Sequence, residues 1–158
     1  MILDSGNRSE FATGAVRDIQ EGKGRCDLMP LDVVATILGG GDEDHKGSVL
    51  KNIALFQTSG DTEFLYLAIG IMSRAFSHIE GMLLEVAIHF EEGAKKYGEN
   101  NWQKGIPVNR YIDSAVRHYL KWLRGDTDEH HDRAFCWNLM CAIWTCKNKP
   151  ELNCYLGE

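Results

Sequence analysis

The sequence predicts an all-α protein, and three observations carry that prediction. No stretch of useful length alternates apolar and polar residues with period two. Apolar residues instead recur at helical spacing between Thr62 and Tyr97 and again from Val108 to Leu123. A third stretch, residues 134–144 (AFCWNLMCAIW), is apolar almost all round, as in a helix buried at the centre of a bundle. The expected architecture is therefore a helical bundle of about four helices with the last one in the middle. At 158 residues, 44% hydrophobic and 25% charged, the chain suits a single domain spanning 1–158 with a core of normal size.

Taken in order, residues 1–30 are Gly-rich, charged and aperiodic, and read as an ordered arm carrying Arg17, Lys23 and Arg25. Pro30 precedes a short helix, LDVVATIL, as proline often does at a first turn. GGGDEDHKG at 39–47 reads as a flexible turn, and VLKNIALFQ at 49–57 as a turn or two of helix. From Thr62 to Tyr97 the spacing predicts one long helix, or two broken near Gly81, stopped by Gly98. Its apolar stripe is Leu83, Val86, Ala87, Phe90, Ala94 and Tyr97. ENNWQKGIP is a connecting loop. Pro107 opens the next helix, with Val108, Ile112, Ala115, Tyr119 and Leu123 facing inward and Gly125 ending it. Thr127 or Asp128 is competent to cap the last helix, which runs to about Thr145 or Lys147.

Composition removes several classes. The net charge of −6 and pI near 5.5 argue against a duplex nucleic-acid clamp, which needs a basic face to displace counterions. No run reaches the ~18 apolar residues of a membrane span, and the N-terminus lacks a basic-then-apolar leader, so a cytoplasmic protein is expected. The five cysteines are odd in number and form no C-x-x-C pair, which favours free thiols over a disulfide or zinc framework. The arm is no P-loop: Lys23 is followed by Gly24 and no strand precedes it. Its glycine-permissive backbone with three cations suits folding over an anion.

Four places hold residues able to do chemistry. Glu85, His89, Glu92 and Lys96 share one stripe and read as a solvated face laced with ion pairs. Glu91 sits at the edge of the apolar stripe, where a half-buried carboxylate needs a partner, either Lys95 four residues on or a divalent metal. His131, Ala134, Asn138, Ala142 and Thr145 share a stripe of the buried helix. Small residues there leave room for a pocket into which His131 and Asn138 point, or Asn138 simply bridges two helices. Asp126, Asp128 and Asp132 add negative charge at that helix's start. Asp113 and Arg117 form an i,i+4 pair, and His118 flanks the apolar stripe of the same helix.

Three blocks together resemble the dATP/dGTP diphosphohydrolase domain found widely in phage and prophage genomes, related to all-α, MazG-like nucleotide pyrophosphatases. They are GAVRDIQEGKGRCDLMP, HFEEGAKKYGENNWQKGIP and RYIDSAVRHYLKWLRGDTDEHHDRAFCWNL. Residues 39–80 read as an insertion between the first two. The resemblance implies a helical protein that binds a purine deoxynucleoside triphosphate with Mg²⁺, or Mn²⁺ in its place. Water would attack the α-phosphorus, giving the monophosphate and pyrophosphate. It further implies Glu91 and Asp128 as metal ligands, and Glu91, His118 and His131 as catalytic residues. Nucleotide or phosphate contacts are implied for Arg17, Lys23, Arg25, Lys95, Lys96, Tyr97, Asn101, Trp102, Lys104, Arg117 and Asn138.

One departure stands out. MazG-like enzymes carry E-x-x-E on one helix and E-x-x-D on the next, whereas here Ala94 and Lys95 follow Glu91, and Asn138 stands where an acid would be convenient. That leaves open a phage protein that binds and sequesters a nucleotide or cyclic-nucleotide immune signal without hydrolysing it. The surplus of large apolar residues, together with the habit of MazG-like relatives, leads us to expect a homo-oligomer.

Overall fold

The computed structural model describes residues 3–38 and 46–157. Six α-helices dominate them: α1 (Leu31–Ile37), α2 (Lys46–Ser59), α3 (Glu63–Met72), α4 (Ile79–Tyr97), α5 (Val108–Arg124) and α6 (His131–Asn148). The all-α expectation holds, with more helices than the spacing suggested, because residues 49–57 belong to a full helix and the stretch 62–97 divides in two. One further element escaped the sequence reading. Strands β1 (Arg8–Glu10) and β2 (Val16–Asp18) form a small antiparallel hairpin in the arm, with Ser9 opposite Arg17. Three residues per strand are too few for a period-two pattern to register.

The sequence of α6 explains its place. Buried residues face every direction around it, from Phe135 and Cys136 to Leu139, Ala142 and Thr145, and it contacts α3, α4 and α5. Helix α5 lies along it and presents one strongly apolar face through Val108, Ile112, Ala115 and Tyr119. Residues 39–45 of the expected turn lie outside the described residues. Of the remainder of 39–80, α2 and α3 deliver Leu50, Ile53, Phe56, Leu65 and Met72 to the same core.

The break between α3 and α4 falls at 73–78, not at Gly81. A 3-10 turn, Ser73–Phe76, follows α3, and Ser77 then takes φ 66°. His78 caps α4 by accepting from the Gly81 N–H at 3.0 Å. A side chain at Gly81 would meet that imidazole, its Cβ falling 2.9 Å from His78 Cε1, so this glycine accommodates a cap. Gly98, at φ 92°, ends α4 where the sequence places the stop.

The start of α6 is corrected as well. The helix begins at His131, and neither Thr127 nor Asp128 caps it; Asp128 spends its carboxylate on the His131 ring instead. All five cysteines are free, as expected, with Cys136 and Cys141 buried.

Candidate functional site

A cavity of about 910 Å³ opens between the arm, α4, α5 and α6. The arm is fastened over it by a short set of bonds. The Asn101 amide clasps β2, accepting from Val16 N–H at 2.9 Å and donating to the Val16 carbonyl at 2.8 Å. Asp113, 1% exposed, is the second fastening: it accepts from Gln20 Nε2 at 2.7 Å, Cys26 N–H at 2.6 Å and Arg117 at 2.6 Å. Burial opposes its ionisation, but those bonds and the Arg117 charge outweigh it and hold the carboxyl below its ordinary range. Arg117 also donates to the carbonyls of Lys23 and Gly24. The i,i+4 pair read from the sequence thus exists and serves to hold the arm down.

Arg17, carried in by β2, lies deepest. Its guanidinium donates to Asn138 Oδ1 at 2.6 Å and lies over the rings of Tyr111 (5.1 Å) and Trp137 (5.9 Å). Asn138 donates in turn to the Ala134 carbonyl at 2.8 Å. The Arg17 Nη1 is buried and bonds to nothing among the described residues, and no described carboxylate pairs with this guanidinium. Burial therefore pulls its pKa down from the usual arginine value. Arg110 lines the same cavity, likewise lowered by burial and by the neighbouring Arg17 charge. A buried cation without a counter-charge costs free energy unless a ligand supplies one.

Helix α4 keeps part of the sequence reading of its faces, since Val86 packs in the core, Phe90 packs against it, and Ala94 and Tyr97 line the cavity. Of the stripe Glu85, His89, Glu92 and Lys96, expected to be a solvated face laced with ion pairs, the ion pairs are present, but only Glu85 keeps a well-exposed side chain and the other three turn inward. His89 is 8% exposed and packs against Trp137 at 5.2 Å; burial, then the nearby Arg133 charge, brings its pKa down to about 4. Arg133 of α6, 4% exposed, reaches Glu92 at 2.8 Å and Glu85 at 3.3 Å. Lys96 donates to the Leu3 carbonyl. Conversely Leu83 is 48% exposed and Ala87 is exposed, although both were assigned to the inner stripe. Glu91 turns out with them: its side chain is 64% exposed at the rim of the cavity and pairs with the exposed Lys95 at 3.0 Å. The half-buried acid expected at 91 is not there, because the helix is rotated to bring His89 and Glu92 inside.

Other expected contacts divide. Arg17, Lys23, Tyr97, Asn101, Trp102, Arg117, His118 and Asn138 all border the cavity. Trp102 packs edge-on against Phe90 and Trp144 as an anchor. Arg25 turns to Asp27, Lys95 to Glu91, and Lys104 is exposed, so these three stand apart from the cavity.

At one end of the cavity His118, from α5, meets His131, from the first turn of α6, with Nδ1 to Nδ1 at 2.8 Å. His131 Nε2 faces Asp128 Oδ1 at 2.7 Å. Burial, then the His131 ring, pushes the His118 pKa well below the imidazole norm. Two groups of side chains here converge closely enough to hold an ion: His118, Glu129 and His131, and Asp126, Asp128 and His131. Sequence reasoning missed Glu129, Arg110 and the inward His89. Glu129 follows Asp128 just before α6, where an acid usually faces water, and nothing in the spacing of α4 separates its polar face from an ordinary wet one.

The fold is α-helical, with an internal cavity that carries Arg17 and Arg110 on its wall. The chain belongs to the family described as dATP/dGTP diphosphohydrolase, N-terminal, whose pattern residues 72–154 match. That span covers the second and third of the resembling blocks, while the arm and α1 to α2 lie before it. Comparisons with curated proteins and with solved structures returned no match. No helix among the described residues is long and apolar enough to cross a membrane.

Proposed function

We propose that the chain is a diphosphohydrolase for purine deoxynucleoside triphosphates, dATP and dGTP, releasing the monophosphate and pyrophosphate in the presence of Mg²⁺ or Mn²⁺. The observation that carries this reading is the buried Arg17 guanidinium, with Nη1 unbonded and no described carboxylate beside it, on the wall of a nucleotide-sized cavity. A phosphate oxygen supplies both the missing acceptor and the missing charge. Arg110 adds positive charge to the same cavity, whereas Lys23 on its lining is paired with Asp18. Asn138, rigidly held by Ala134, and the aromatic wall of Trp137 and Tyr97 suit a base and sugar.

In the reaction a water oxygen bonds to the α-phosphorus as the bond to the bridging oxygen breaks, and pyrophosphate leaves with the electron pair. The reading gives the attacking water to the His118 and His131 end. Mg²⁺, when bound, would supply charge neutralisation to the triphosphate, and Asp126 and Asp128 beside His131 are the carboxylates that converge closely enough to help hold it. Asp113 and Glu92 are committed to arginines, and Glu91 faces solvent.

The same commitment of carboxylates favours a second reading, a protein that sequesters a nucleotide or cyclic nucleotide intact. One experiment separates the two. The protein is incubated with each of the eight ribo- and deoxynucleoside triphosphates and Mg²⁺, and pyrophosphate is measured. Release from dATP and dGTP, lost in Arg17→Met, supports hydrolysis. Tight binding with the nucleotide recovered intact on heating supports sequestration. Neither binding nor release overturns both. The exposed apolar residues of α4 (Ile79, Leu83, Leu84, Ile88) extend the reading to a homo-oligomer that covers this face with a second copy.

A further inference from the structure

We infer that His118, His131 and Glu129 form a binding site for a divalent transition-metal ion of the zinc and cobalt class, and that Asp128 orients His131 toward it. The inference concerns the nucleotide-free protein and holds whether or not a nucleotide is hydrolysed.

The hydrogen atoms provide the first step. His131 Nε2 lies 2.7 Å from Asp128 Oδ1, and a carboxylate takes the N–H of its imidazole partner. The His131 Nδ1 is then left with a bare lone pair, aimed at His118 Nδ1 only 2.8 Å away. The side chain of His131 is wholly buried, so water cannot satisfy that lone pair. With no ion present, His118 donates its own Nδ1–H and a hydrogen-bonded Asp128–His131–His118 chain results. With His118 in its other tautomer, two imidazole lone pairs converge. Two nitrogens on one ion at ~2.0–2.1 Å sit ~3.0–3.4 Å apart, so the rings need to part by only a few tenths of an ångström.

Glu129 completes the set. Its ligand oxygen and the two ring nitrogens lie within 4.8 Å of one another. The same carboxylate is held in place by the Leu3 N–H, which donates to Oε1 at 2.8 Å. The Asp128 to His131 contact is the outer carboxylate that commonly fixes a metal-binding histidine. The rival group of Asp126, Asp128 and His131 is less suited, because Asp126 is paired with Arg124 and Lys121 stands 3.7 Å from Asp128. Donor chemistry selects the metal. Mg²⁺ takes oxygen ligands, whereas two imidazoles and one carboxylate with open positions suit zinc, cobalt and their neighbours.

The test is a Co²⁺ titration of the chelator-stripped, full-length protein, read by visible absorption, followed by competition with Zn²⁺ and with Mg²⁺. The expected result is saturation at one Co²⁺ per chain, displacement by Zn²⁺, and no displacement by a large excess of Mg²⁺. His118→Gln and Glu129→Gln, checked for folding by circular dichroism, abolish or strongly weaken the absorption. Asp128→Asn weakens binding about 10–100-fold. Absence of a saturable cobalt spectrum, an unchanged spectrum in folded His118→Gln, or ready displacement by Mg²⁺ would overturn the inference. Pyrophosphate release is scored separately, so loss of the metal site and loss of the hydrolase reading are distinguishable.

Discussion

Helix α4 departs only in part from a usual surface helix: it buries Met82 and Val86, but takes polar residues inward beside them and leaves apolar ones outside. Its inner face carries His89, Glu92 and Lys96, and its outer face carries Leu83, Leu84 and Ile88, the last three 48%, 71% and 41% exposed. The inner face is tolerated inside because Arg133 neutralises Glu92 and because polar side chains such as Arg17 and Asn138 share the otherwise mostly apolar cavity wall. The outer face is left without a described partner, which is the mark of a surface that another molecule covers. Polarity along a helix therefore reports what it faces, and a buried arginine such as Arg133 draws an acid inward against the usual inference from pattern to orientation.

The comparison is broken most severely at Arg133. Arg133→Met keeps the aliphatic stem but leaves Glu92 half-buried without its arginine. Unfolding free energy should fall by about 2–3 kcal/mol, somewhat below a fully buried pair because Glu92 retains some solvent. Urea denaturation checks this, and an unchanged midpoint would show that the inner face is solvated after all.

Acidification strains the same face through His89. Its folded pKa of about 4 lies below the ordinary 6.5, so between those values the unfolded chain takes up a proton that the folded chain refuses. Stability from this group is complete above about pH 6.5 and is lost as pH falls toward 4, by up to about 3 kcal/mol. The urea midpoint of the wild type should drop across that window, and His89→Phe should flatten the drop.

On the outer face, Leu84→Asp should leave monomer stability within about 0.5 kcal/mol, since the side chain is already exposed. Light scattering should nonetheless show the assembly dissociating. A wild-type mass of 17.8 kDa would remove the oligomer instead. The smallest effect belongs to Glu91. Exposed and paired only with Lys95, it should change pyrophosphate release by less than about threefold when replaced by alanine. Loss of activity in that variant would restore it to the site.

Much of the fold was legible because α6 is apolar on all sides and α5 on one, so burial could be read from composition alone. The orientation of α4 was not, since Leu83 and Ile88 carry the same apolar signal as a core stripe and only tertiary packing decides between them. Of the site, Arg17, Asn138, His118 and His131 were named from the sequence, although nothing in the spacing places Arg17 against Asn138 across 121 positions. Glu129 and Arg110 stayed hidden because an acid before a helix and an arginine within one usually face water.

The decisive measurement is calorimetric titration of wild type and Arg17→Met with a nonhydrolysable dATP or dGTP analogue and Mg²⁺, with thermal unfolding followed in parallel. A lost charge-assisted bond to a buried phosphate predicts one-to-one binding by the wild type and affinity about 100-fold weaker in the variant, both proteins being folded. Equal affinity in the two would mean that the buried guanidinium faces no ligand and serves only to brace Asn138.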